Sequence, residues 1–176
     1  MIATNIAEAA VSMAEAQAYA RVETGEEEAL LAALVRTASA LCESFTGQVL
    51  VARPFEEVLP PGVQWQRLGL TPVRAIEEIA VLAADGSATV LPPGGCEMDI
   101  DSRGNGWVRL PSGGDRKVRV RGQAGMALEP NGVPEPLRQG ILRLIAHLFA
   151  TRDGGGGEPP AAVTALWGPY RRMRLA

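Results

Sequence analysis

The chain has 176 residues, 47% of them apolar and 21% charged, with 17 basic and 20 acidic side chains and a net charge of −3. That length fits one ordinary domain, or one domain with a small insert, and the composition is that of a globular protein. A slightly acidic balance argues against a general nucleic-acid binder. Aromatic residues are 5% of the chain, so the core must be mainly Leu, Val, Ile and Ala.

The charge is unevenly spread. Residues 1–47 hold two basic and seven acidic side chains, and residues 134–176 hold six basic and three acidic ones. An acidic start and a basic end are compatible with head-to-tail association of copies, and equally with solvated surface. Cys42 and Cys96 have no C-x-x-C spacing and no nearby His, so two free thiols in a reducing compartment are expected. "MIATNIAEAAVSMAEA" lacks the basic start and Leu-rich core of a cleavable signal. No apolar run approaches the roughly 20 residues of a bilayer span. The cytosol is the expected location, unless the protein travels as part of a particle, and no membrane partner is expected.

In chain order, "SMAEAQAYARV" opens with a capping-box pattern, Ser12 with Glu15, and predicts a short helix to about Arg21. "ETGEEEALLAALVRTASALCESFTG" predicts an amphipathic helix of about five turns, with Thr24 as N-cap and Gly47 as left-handed stop. Its apolar face is read as Leu30, Leu34, Leu41 and Phe45, with Leu31 and Ala38 at the margin. Beyond Gln48 the pattern turns extended. Val51, Arg53, Phe55, Glu57 and Leu59 suggest a strand that Pro54 places at a sheet edge, and "VQWQRLGL" is short and extended. "TPVRAIEEIAVLAADGSATVL" reads as two strands about an Asp85-Gly86 turn, with a helical "RAIEEIAVLAA" as the competitor. "CEMDI", "GWVRL" and "RKVRVRG" are further short strands. Pro134 and Pro136 then preset the first turn of a helix striped by Leu137, Ile141, Leu144, Ile145 and Leu148. Four glycines follow it, with a brief helical turn around Ala161–Trp167 before a basic end.

The predicted fold class is α+β. A small helical bundle (two N-terminal helices plus one C-terminal helix, residues 1–47 and 128–153) carries an inserted antiparallel β unit (48–127), which projects from it. Residues 154–176 form a flexible hinge and tail. The second and third helices are expected to pack on each other, because neither apolar stripe can stay in water.

Catalytic signatures are missing from the sequence. His147 stands alone at the margin of its helix, which leaves no histidine-based triad. Glu97, Asp99 and Asp101 share one strand face, but Arg103 and Leu110 occupy calcium-loop positions that need oxygen ligands. A solvated acidic face, opposite Arg109 or the next strand, is the reading kept. Glu77 and Glu78 point to opposite faces of a strand, and the glycine run lacks a following Lys-Ser or Lys-Thr. No enzyme activity, cofactor or metal is expected. Lys117, Arg119 and Arg121 share a basic strand face, read as cross-strand paired with the nearby acidic strand, with a contact to DNA or to a neighbouring chain as the other option. "LWGPYRRMRLA" is rich in the residue types in which binding energy concentrates. Docking onto a partner and folding back on the chain's own bundle are both open for it.

These segments, in this order, resemble the head-to-tail connector, or adaptor, proteins of tailed bacteriophages and gene transfer agents. The resemblance rests on "SMAEAQAYARVETGEEEALLAALVRTASALCESFTGQVL", "LGLTPVRAIEEIAVLAADGSATVL", "VRVRGQAGMA", "VPEPLRQGILRLIAHLFATRDG" and "PPAAVTALWGPYR". Gly140, where such helices commonly carry Ala, and Arg121, where a Tyr is usual, depart from the pattern. The resemblance implies a non-enzymatic ring, of twelve copies in the particle, at the head-tail junction beneath the portal. That ring would extend the channel through which DNA passes without sequence specificity, and would dock a tail-side stopper or terminator protein. It also implies that Trp167, Pro169, Tyr170, Arg171, Arg172 and Arg174 engage the portal protein, with Gly154, Gly155, Gly156 and Gly157 as hinge. A stand-alone peptide- or sugar-binding module built on the β insert is the alternative, and a small enzyme using Glu97 and Asp99 is a third.

Overall fold

A computed structural model of the chain describes residues 2–3, 8–22, 27–110, 116–151 and 160–172. The chain divides into two units: residues 6–51 with 126–176 form a helical unit, and residues 1–5 with 52–125 form a β unit.

In the helical unit, α1 (Met13–Ala20) starts on the expected capping box: Ser12 accepts from the Glu15 N–H, and Glu15 accepts from the Ser12 N–H. Arg21 ends it in the left-handed region. Helix α2 (Glu28–Thr46) stops at Gly47, whose φ of 67° is one that L side chains rarely adopt. Glu27 occupies its cap position without a side-chain bond, and Thr24 lies outside the described residues. The buried face of α2 differs from the sequence reading. Leu31, Val35, Ala38, Ser39, Cys42 and Thr46 are buried, whereas Leu30 and Leu41 keep 39% and 44% of their surface exposed. Small side chains at Ala38, Ser39 and Cys42 lie on that buried face. Ser39 and Thr46 enter that face because their hydroxyls donate to the Val35 and Cys42 carbonyls at 2.8 and 2.7 Å. Burial holds the free Cys42 thiol far above its ordinary pKa, with Glu43 adding to the effect, which makes it a packing residue. By length and hydropathy alone α2 could cross a bilayer, against the expectation; apolar core helices meet the same criteria.

Helix α3 (Glu135–Ala150) packs against α1, α2 and α4 (Ala161–Trp167). Being covered on several sides, it buries Gly140 and Leu142 besides the expected Leu137, Ile141, Leu144 and Ile145, while Leu148 is half-buried. Residues 48–51, read as the start of the β insert, belong to this unit. Leu50 donates to the Glu43 carboxylate at 2.9 Å, Met126 and Ala127 donate to the Val49 and Leu50 carbonyls, and Val51 bridges Ala127.

The β unit holds two antiparallel sheets. Five strands run in the order β1 (Ile2–Ala3), β2 (Arg53–Leu59), β8 (Val118–Ala124), β4 (Val73–Leu82) and β5 (Ala88–Val90). Three run β3 (Gln66–Arg67), β7 (Gly106–Arg109) and β6 (Glu97–Ile100). Strand β1 was not anticipated; two residues are too few to show a period. It pairs with Glu56 and Glu57, and among the described residues nothing pairs with β2 on that side at Pro54. The β4–β5 hairpin turns at Asp85-Gly86, with the Gly86 N–H donating to the Ala83 carbonyl at 3.0 Å. Strand β4 shifts register twice against β8, between Val73 and Ala75 and between Ile76 and Glu78. Those irregularities break the two-residue alternation and explain why its sequence also reads as helical. Phe55, Leu59, Val73, Ile79, Val108, Val118 and Val120 are among the buried apolar residues of this unit.

Candidate docking site in the C-terminal segment

Residues 160–172 are seated on the helical unit. Helix α4 begins after Pro160 and buries Val163 and Trp167, which are 0% and 3% exposed. The Trp167 indole fits against α3 because residue 140 is a glycine: a Cβ there would lie 2.1 Å from the indole nitrogen. That nitrogen donates to the Leu137 carbonyl at 3.2 Å, and the ring lies 5.8 Å from that of Phe45 at 53°. A short 3-10 turn, Gly168–Tyr170, follows. Gln48 donates to the Tyr170 carbonyl at 2.6 Å, the Arg172 N–H donates to the Thr46 carbonyl at 2.8 Å, and the Arg171 guanidinium stands 5.4 Å from the Phe45 ring centre.

The reading of 154–176 as one loose tail therefore fails for residues 160–172. In this chain the Trp167 indole is consumed by its own bundle, since an indole that finds both an apolar slot and an acceptor has little to gain by leaving. Pro169 and Arg171 remain exposed, and Tyr170 and Arg172 are half-buried. The hinge glycines Gly154, Gly155, Gly156 and Gly157, and Arg174, lie outside the described residues. Phe45, Gln48 and Gly140, which hold the segment, were not singled out as its partners. A glycine in mid-helix, costing about 1 kcal/mol relative to alanine, was the signal available in the sequence.

In the β unit, Arg119 and Arg121 meet carboxylates from the strands on either side of β8. Arg119 pairs with Glu78 at 3.0 Å, and Arg121 with Glu56 at 2.7 Å and Glu78 at 3.7 Å. The sequence reading placed those partners on β6; instead Glu97 of β6 takes Arg109 of β7 in a two-point pair at 2.7 and 2.8 Å. Lys117 precedes β8 and is exposed, with no ion pair among the described residues. His147 is half-buried, its Nε2 enclosed without a hydrogen-bond partner among the described residues.

Asp101 closes the turn between β6 and β7. Bonds from the Asn105 side chain and backbone, then from the Arg103 N–H and the Trp107 indole, hold its carboxyl down to about 2. A depressed carboxyl stabilises the fold above its unfolded value of about 3.9 and loses that contribution as pH falls through the folded one. The Trp107 indole N–H resonance should therefore shift as pH falls below about 3, with its midpoint near the folded value of about 2, and Asp101→Asn should remove that transition.

No protein-family model matches the chain, and no curated protein sequence does. Solved structures do match. A chain in the neck of an empty GTA particle, computed with C6 symmetry, is 24% identical over all of this chain and 97% of its own, with a TM-score of 0.79. A chain of the native gene transfer agent (GTA) virion is 23% identical with a TM-score of 0.77, and one in the native GTA neck, computed with C12 symmetry, is 24% identical at 0.77; each is matched over 97% of its length. This chain has the fold of gene transfer agent particle proteins. The resemblance read from the sequence holds at the level of the fold, and it extends over the whole chain.

Proposed function

We propose that the chain is a structural, non-enzymatic head-to-tail connector of a phage or gene transfer agent particle. Copies form a ring beneath the portal, extend the DNA channel and receive the tail-side stopper or terminator protein. The observation that carries this reading is the full-length match to chains of particle necks, one of them solved with twelvefold symmetry. Assembly in the bacterial cytoplasm would precede residence in the particle.

The portal-facing surface in this reading is the turn that follows the seated indole. Trp167 anchors the segment from inside, and Pro169, Tyr170, Arg171 and Arg172 present the contact. Ordering cost is low, because the segment is already fixed on its bundle before it meets a partner. Mixing the chain with its portal protein should yield a ring-sized species in gel filtration. Arg171→Glu should weaken that association about tenfold without changing the helical content. Unaltered binding by this variant would remove the segment from the portal contact. Failure of the native chain to join the portal would remove the connector reading itself.

A further inference from the structure

A ring with cyclic symmetry needs two different surfaces on each copy, one fitting the other. The chain carries such a pair. In the β unit an open cavity of about 620 Å³ is lined by Pro61, Leu82, Ala83, Ala84, Arg116 and Lys117, among others. That is within the range of pockets that accept a small ligand, about 300–1,000 Å³. Its wall is largely apolar. Arg116 and Lys117 are exposed, and neither makes an ion pair among the described residues. Among the described residues, Asp85, which stands between the lining residues Ala84 and Gly86, turns its carboxylate to the Ser87 N–H and hydroxyl at 2.9 and 2.7 Å. Arg119 and Arg121, two and four residues beyond Lys117, are already neutralised by Glu56 and Glu78. The cavity therefore calls for a group that is apolar at its tip and acidic at its side.

The helical unit offers one. Leu128 is 72% exposed, more than any other large apolar side chain among the described residues, and exposed Glu129 follows it without an ion pair there. The pair stands just before the 3-10 turn Pro130–Gly132, whose Gly132 N–H bonds the Glu129 carbonyl at 3.0 Å and so fixes the backbone beside the two side chains. An exposed leucine beside a carboxylate that has no ion pair among the described residues matches the cavity in both apolar character and charge.

We propose that Leu128 and Glu129 of one copy seat in this cavity of the next, leucine against Leu82 to Ala84 and carboxylate between Arg116 and Lys117. The proposal rests on the ring reading above and names the contact that closes the ring. Both surfaces belong to every copy, so the contact repeats, and its charge component weakens with salt.

The test uses assemblies of the full chain with its portal protein. With Cys96 replaced by Ser, Leu128→Cys together with Ala84→Cys should give, on oxidation, a ladder of cross-linked multimers. A mixture of two chains that each carry one of the new cysteines should give dimers only, since the remaining Cys42 is buried. Lys117→Glu or Glu129→Lys alone should lower ring yield about tenfold, and the two together should restore it. All four positions are exposed, so the variants should keep the unfolding midpoint of the native chain. Native rings that form without the ladder, or rings indifferent to either charge reversal, overturn this contact and leave the connector reading standing. Cross-linking of the Leu128→Cys chain to the portal instead of to a second copy also overturns it. Absence of rings from the native chain overturns both.

Discussion

Trp167→Ala should destabilise the helical unit by about 3–5 kcal/mol, the range for truncating a large buried aromatic side chain. The indole fills the space left by Gly140, lies beside Phe45 and donates its N–H to the Leu137 carbonyl. Alanine would leave a cavity between α3 and α4 and remove the bond to that carbonyl. The loss should appear as a lower urea midpoint and faster amide exchange in α3. A change below about 1 kcal/mol would mean that the indole does not occupy this slot in solution. The same reasoning alters what a truncation does. Deleting residues 158–176 removes Val163 and Trp167 from the core, so it should weaken the bundle as well as any docking. Such a deletion cannot isolate the portal contact; Arg171→Glu can.

Gly140→Ala is the second large effect, and its sign is the informative part. In an ordinary helix interior this change stabilises by about 1 kcal/mol. Here the new methyl would meet three indole atoms at 2.1, 2.7 and 2.8 Å. The indole must leave its slot or α3 must move away from α4, at the cost of overpacking, typically 1–3 kcal/mol. A net loss is expected in the native background. In the Trp167→Ala background the clash is gone, and the same substitution should become neutral or stabilising. This reversal is a strong coupling between two contacting residues, measurable in a double-mutant cycle by denaturant unfolding. Additive effects would contradict the packing described.

Gly140 also shows where sequence reading reaches its limit. Standing where such helices commonly carry Ala, it reads as a weak point, and only the position of residue 167, 27 positions later, reveals it as a socket. The helices themselves were legible, because capping and 3.6-residue periodicity are local: Ser12 and Glu15, Gly47, and the stripe of α3 all appear as read. The rotation of α2 was not legible. Leu30 and Leu41 are larger and more apolar than Ala38 and Ser39, yet the small residues are buried and the two leucines are exposed. Strand positions were readable from turn residues, but pairing partners were not. Arg119 and Arg121 find Glu78 and Glu56 across a sheet whose order interleaves distant segments, and nothing local encodes that order. The C-terminal segment was legible as chemistry, rich in Trp, Tyr and Arg, but its target was not. A tryptophan that anchors a partner and one that anchors its own helix look the same in sequence.

A reconstruction of the particle neck from the strain that encodes this chain tests the central claim most directly. The connector account requires a closed ring of this chain below the portal, with Trp167 still seated beside Gly140 and the turn at Pro169 to Arg172 against portal residues. A neck without this chain, or a ring whose Pro169–Arg172 turn faces away from the portal, would contradict it.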